Sequence, residues 1–224
     1  MSQPLDALTK SLLRAARKAG ADGADAKAVQ ATSVSVDVRG GALEQAERAE
    51  GIDIGLRVFV GHRSANVSAS DTSSRTIEEM AVRAVAMAKE APEDPHSGLA
   101  TPDQLATNWK VETLELFDAT AEPSPADLQR DAAEAEAAAL AVKGVSQVQA
   151  TSAGYGAQEV HLATSNGFEG GYARTDRGLS CVAIAGTGTG MERDYDGDSR
   201  IFQSDLRPFG CAQTTHRCLS GFVR

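Results

Sequence analysis

Residues 50–100, EGIDIGLRVFVGHRSANVSASDTSSRTIEEMAVRAVAMAKEAPEDPHSGLA, place two strands, a tight turn and a capped helix in one continuous run. Ile52, Ile54, Leu56, Val58 and Val60 alternate with Asp53, Gly55, Arg57 and Phe59. At a period of two this turns one apolar face toward a core. Gly61-His62-Arg63 reads as the turn, and Asn66-Val67-Ser68-Ala69-Ser70 returns as a small polar strand. Ser73 or Thr76 then caps a helix over 76–90, and Glu79 is spaced to complete a capping box from Thr76. Its buried stripe is Ile77, Met80, Ala81, Ala84 and Ala88.

Upstream, Leu5, Leu8, Leu12 and Ala16 recur at helical spacing among Lys10, Arg14, Arg17 and Lys18. That pattern is an amphipathic helix rather than the unbroken apolar stretch of a signal peptide. Gly20–Asp25 reads as a turn and 26–38 as a strand carrying Val34, Val36 and Val38. Arg39-Gly40-Gly41 turns the chain into a polar, Glu-rich strand at 42–50. Downstream, the proline-rich stretch 92–124, which holds the only tryptophan, Trp109, reads as an extended connector. Ser124 as N-cap and Pro125 at the first helical position open a second long helix, which Gly144 closes. Four strands follow at 145–153, 159–164, 170–175 and 179–186, the middle two joined by the hairpin signal Asn166-Gly167. Antiparallel hairpins in this order favour an α+β fold. The expected architecture is a layered antiparallel or mixed sheet packed by long helices, in two similar helix-plus-strand halves at about 1–91 and 125–200.

A chain of 224 residues buries roughly 70% of its unfolded surface, enough for one sizeable core. Aromatic residues make up only 4%, so that core is built of small aliphatic side chains. The formal charge of −9 and the isoelectric point near 5.0 argue against binding driven by phosphate neutralisation, so nucleic acid is excluded as a partner. No stretch approaches the apolar length of a membrane span. Three cysteines without framework spacing suit a reducing cytoplasm. After Leu206 the tail RPFGCAQTTHRCLSGFVR contains no acidic side chain, and residues 207–224 read as foreign to what precedes them.

Several patterns invite chemistry, and each has a plainer reading. Cys211, His216 and Cys218 offer three metal donors where a tetrahedral site needs four. Cys181, among Leu179, Ala183 and Ala185, reads as a buried structural thiol. Asp194, Asp196, Asp198 and Asp205 fall at calcium-loop spacing, but Ser199 occupies the glycine position, so an acidic solvated turn is the expectation. Gly186-Thr-Gly-Thr-Gly190 lacks the lysine of a phosphate loop and reads as a hairpin. Arg57 projects from the face opposite the apolar stripe, near Asp53. An ordinary ion pair is one reading; contact with a peptide or partner is the other, with Gly55 and Gly61 admitting a backbone that adds to the sheet.

Gly55-Leu-Arg-Val58, Pro92-Glu-Asp-Pro95 with Ser97-Gly-Leu-Ala100, Leu179-Ser-Cys-Val182 and Met191-Glu-Arg-Asp-Tyr195 occur in an order and spacing that resembles the TldD/PmbA family, known as modulators of DNA gyrase and as subunits of a two-component bacterial peptidase. The likeness runs from about Leu5 to Leu206 and is to the N-terminal domain of the PmbA (TldE) branch. The resemblance implies a heterodimer in which a TldD-like subunit carries zinc on a His-Glu-x-x-x-His helix. His62, His96, His161 and His216 are followed by Arg, Ser, Leu and Arg, so this chain has no such motif. By resemblance it has no catalytic residue and no cofactor of its own. Its expected role is the non-metal subunit, with a TldD-like subunit and a peptide substrate as partners. On this reading residues 1–206 are the N-terminal domain and the family's C-terminal domain is absent. A truncated, inactive product and a non-catalytic peptide- or partner-binding module are the alternatives.

Overall fold

A computed structural model describes residues 3–107 and 110–206. Trp109, the tail from 207 to 224 and its Cys211, His216 and Cys218 lie outside the described residues. The elements are α1 (Leu5–Ala19), β1 (Gly23–Arg39), β2 (Ala42–Val60), β3 (Arg63–Ala69), α2 (Ser74–Glu90), α3 (Pro125–Leu140), β4 (Val145–Thr164), β5 (Glu169–Ala185) and β6 (Glu192–Arg200). Two 3₁₀ turns, Pro102–Gln104 and Val111–Leu114, are the regular parts of the connector. The strands form one antiparallel sheet in the order β3-β2-β1-β4-β5-β6, and the fold is α+β.

The strands are fewer and longer than their sequence suggests. Residues 42–50 and 52–60 belong to one strand, 145–153 and 159–164 to another, and 170–175 and 179–186 to a third. Gly156, inside one of the merged strands, marks a close approach. A Cβ there would lie 2.7 Å from the Asp176 carboxylate, whereas one on Gly154 would make an ordinary contact 3.6 Å from the Val34 carbonyl oxygen. β1 likewise starts three residues before the expected 26. Tertiary pairing extends it: Asp22 N–H donates to the Phe59 carbonyl, and Ala24 exchanges bonds with Ser165.

The described residues divide into two units. The first takes in the chain up to Ala31, Glu50–Leu114 and Gln158–Ala173; the second comprises Thr32–Ala49, Glu115–Ala157 and the described chain from Arg174. Each long strand thus contributes one segment to each unit, whereas the sequence suggested contiguous halves.

In the first unit Leu5, Leu8, Leu12 and Ala16 of α1 and Ile77, Met80, Ala81, Ala84, Val85 and Ala88 of α2 pack on Ala24, Ala26 and Ala28 of β1 and on Ile54, Leu56 and Val58 of β2. The alanines of β1 let the helices sit close to the sheet. Gly20 ends α1 in the left-handed conformation at φ 97°, with its N–H on the carbonyls of Ala16 and Arg17. Ser73 caps α2 by accepting from Thr76 N–H at 3.3 Å. The expected capping box does not form, because Glu79 turns outward to Arg75 at 2.8 Å. Asp71 supplies the extra cap, accepting from Ser73 N–H and from the Ser73 and Thr76 hydroxyls.

In the second unit Ser124 and Asp127 form a reciprocal capping box around Pro125. Leu128, Ala132 and Ala135 of α3 pack on Val34, Val36, Val38, Ala153 and Leu179, and Ala139 packs with Val148 and Cys181. The helix ends at Leu140, before Gly144, whose φ of 101° serves the turn into β4. Cys181 is buried and accepts from the Thr151 hydroxyl at 3.6 Å. The run expected as an acidic turn is strand β6: Asp194, Asp196 and Asp198 lie opposite Ala183, Cys181 and Leu179. Strand spacing spreads these carboxylates along one face instead of converging them on an ion. Charges on the inward face of an edge strand discourage further strand pairing.

Candidate functional site

Arg57 stands on the face of β2 turned away from α1 and α2, since its neighbours Leu56 and Val58 fill the core. Its partner is not Asp53, which accepts from the Ser70 hydroxyl, but Asp25 on the adjacent strand β1. Arg57 Nε donates to Asp25 Oδ2 at 2.7 Å, and Nη2 lies 2.5 Å from the same oxygen. Arg57 also lies over the Phe59 ring, 5.1 Å from its centroid. Phe59 is buried although it sits on the polar side of the alternation. The arginine side chain is 48% exposed and the aspartate 17%, so this pair contributes only about 0–1 kcal/mol to stability.

The pair lines a hollow of about 310 Å³ whose walls include Leu99, Leu162, Asn166 and Phe168. The connector closes one side. Leu99 is seated over Gly23 beside Phe59: a Cβ at Gly23 would meet Leu99 Cδ1 at 3.4 Å and Phe59 Cδ2 at 3.6 Å. The Asn166 side-chain amide donates to the Ala100 carbonyl at 2.6 Å, and Gln104 Oε1 accepts from Thr101 N–H at 3.0 Å. The β4–β5 hairpin forms another side, held by Thr164 N–H to the Phe168 carbonyl and by Phe168 N–H to the Thr164 hydroxyl.

Gly55 and Gly61 do not line this hollow. Gly55 pairs with Ser68 of β3, and β2 lies between β1 and β3. The backbone that approaches Gly55 is therefore β3 itself, and no open edge is left there for an added peptide strand. Gly61 has φ 58° and donates its N–H to Asp22 Oδ2 at 2.7 Å, a turn role. Sequence reasoning singled out Arg57 but missed Asp25, which reads as part of a turn, and Asn166, which reads only as a hairpin signal.

His161 is engaged on the helix side of the first unit. The Thr9 hydroxyl donates to the Asp6 carbonyl at 3.0 Å and shares a hydrogen bond with His161 Nδ1 at 3.0 Å. His161 Nε2 lies 3.6 Å from Glu169, which also pairs with Lys10 at 2.8 Å. Donation to Glu169, then to Asp6, raises the Lys10 ammonium above its ordinary range. Thr9 is fully buried. Among the described residues no group of three or more His, Cys, Asp or Glu side chains is placed to hold a metal ion, and no helix is long and apolar enough to cross a membrane.

In the second unit Arg177 is only 5% exposed. It donates to the Ala121 carbonyl at 3.3 Å and lies 5.5 Å from the Tyr155 ring centroid. Desolvation raises the Tyr155 hydroxyl above its ordinary pKa. Thr175 fixes the same stretch: its N–H donates to the Leu116 carbonyl and its hydroxyl accepts from Asp118 N–H. These bonds fasten the end of the connector to β5.

Residues 24–88 match the profile described as PmbA/TldA metallopeptidase domain 1, and residues 118–217 the PmbA/TldA metallopeptidase central domain. The chain is 32% identical over 189 residues to Metalloprotease PmbA of Escherichia coli O157:H7, covering 83% of this chain and 41% of that protein. It is 30% identical over 188 residues to the Metalloprotease PmbA homolog of Haemophilus influenzae, covering 81% and 40%. It therefore spans about two fifths of the length of the curated relatives it matches. A solved structure from Bacteroides thetaiotaomicron, named for modulation of DNA gyrase, superposes with TM-score 0.85 at 22% identity, covering 96% of this chain and 49% of that one. TldE from Thermococcus kodakarensis superposes with TM-score 0.70 at 17% identity, covering 89% and 44%. Two domain profiles in consecutive order and curated relatives at this identity make one assignment: the chain belongs to the PmbA/TldE family of metallopeptidases.

Proposed function

We propose that this chain acts as the N-terminal part of the non-metal subunit of a TldD/TldE-type metallopeptidase that degrades or processes small or unfolded peptides. Its contribution is to bind a TldD-like subunit and to help enclose the substrate. The observation that carries this reading is the match of both domain profiles together with 32% identity to a protein named Metalloprotease PmbA. The non-metal role follows from the likeness to the TldE branch; His62, His96 and His161 lie on a turn, the connector and β4. Zinc and its activated water belong, on this proposal, to the partner. A cytoplasmic setting suits the buried thiol of Cys181.

The second reading is a peptide- or partner-binding module without a share in catalysis, and the hollow beside Arg57 favours it. Co-purification with a full-length TldD-like protein, followed by peptide hydrolysis with and without a chelator, separates the two. Chelator-sensitive hydrolysis that needs both proteins supports the subunit. A complex without hydrolysis supports the module, and absence of a complex refutes the subunit reading.

A further inference from the structure

We propose that the hollow beside Arg57 is a subsite for one uncharged, apolar residue of an extended peptide, with the Arg57–Asp25 pair bonding the adjoining peptide group. The proposal deepens the peptide-handling reading above and rests on it. Both recorded contacts of the pair end on one oxygen, Asp25 Oδ2. Among the described residues Asp25 Oδ1 and the Nη1 side of the guanidinium carry no hydrogen bond, so a spare acceptor and spare donors stand together on the hollow's wall. A peptide group presents the complement, one C=O and one N–H. The pair is neutral as a whole, so a carboxylate drawn to Arg57 meets Asp25 and an ammonium drawn to Asp25 meets Arg57. That argues against a charged ligand.

The rest of the lining sets the side chain. Leu99, Leu162 and Phe168 supply apolar wall, and Leu162 is 36% exposed with no protein group covering it fully. Asn166 has its amide committed to the Ala100 carbonyl and so shapes the site without adding a free donor in that direction. A volume of about 310 Å³ is at the small end of ligand pockets, suited to one residue rather than a long segment.

The test is NMR titration of the full chain, following the Leu99 and Leu162 methyls and the Arg57 Nε–H. The probes are N-acetyl-leucinamide, N-acetyl-aspartamide and free leucine. The expected result is saturable shifts with the blocked leucine, half-saturating on the order of 1 mM for so small a ligand in a half-open site. Leu162→Asp, at a partly exposed position on β4, weakens that binding by at least about tenfold, while Leu162→Met preserves it. No saturable shift, equal binding by Leu162→Asp, or tighter binding of free leucine or of the aspartamide overturns the proposal. The same Leu162→Asp chain is tested for a complex with the TldD-like protein. A retained complex with lost peptide shifts isolates the subsite; loss of the complex in the unaltered chain refutes the subunit reading and leaves the subsite to stand or fall on the titration.

Discussion

Glu136 offers the sharpest stability test. It lies on α3, is 3% exposed, and accepts from Gly40 N–H at 2.7 Å through Oε1 and from Gly41 N–H at 2.6 Å through Oε2. Both glycines turn with positive φ, 61° and 74°, and this aims their N–H groups at one carboxylate. Two oxygens that both accept are the pattern of a carboxylate and not of an amide. Glu136→Gln keeps one acceptor and sets an NH₂ against the other N–H. A hydrogen bond to a charged group contributes about 1.5–3 kcal/mol, and water at the exposed turn recovers part of it. The expected cost is about 2 kcal/mol for Gln and about 3 kcal/mol for Ala, which loses both bonds. For a protein of this size that lowers Tm by about 4–8 °C and 6–12 °C respectively. Urea unfolding followed by circular dichroism measures the cost, and hydrogen exchange at Gly40 and Gly41 locates it. If both variants stay within about 0.5 kcal/mol of the parent, or if exchange at the two glycines does not rise, the carboxylate does not hold the turn.

Gly171→Ala is expected to cost about 2–4 kcal/mol, because the new Cβ would lie 2.5 Å from the Val160 carbonyl of the paired strand; Gly55→Ala, with no atom within 4 Å of its Cβ position, should change urea stability by less than about 0.5 kcal/mol. Leu8→Ala removes a fully buried side chain and should cost about 2–5 kcal/mol in the same assay. The Asp71 carboxyl is held below its ordinary 3.8 chiefly by the Thr76 hydroxyl, and that of Asp127 chiefly by Ser124. The unfolded chain therefore takes up these protons at higher pH than the folded one, so their stabilisation is complete above that ordinary value and is lost as pH falls below it. Asp71→Asn and Asp127→Asn should lower Tm near neutrality and flatten its fall between about pH 5 and pH 2.

What the sequence shows well is what local chemistry determines. The stripes of α1 and α2, the Ser124-Pro125 helix start and the Gly40-Gly41 and Asn166-Gly167 turns follow from periodicity, capping and positive φ. Strand length is hidden, because Gly154 and Gly156 weaken the local pattern while neighbouring strands hold them in the ladder. β6 is hidden for a related reason: alternating aspartates look like ion ligands until a paired strand stands opposite them. At the candidate site Arg57 stands out as a charge in a strand, but Asp25 and Asn166 join it only through strand order and the path of the connector. Nothing local records either.

The central claim is that this chain serves as one subunit beside a metal-bearing partner. Mixing the purified full chain with a TldD-like protein and following cleavage of an unstructured peptide tests it most directly. The account predicts hydrolysis only when both proteins are present, abolished by a chelator and restored by zinc. Hydrolysis by the TldD-like protein that is unchanged by this chain, with no complex between them, would contradict it.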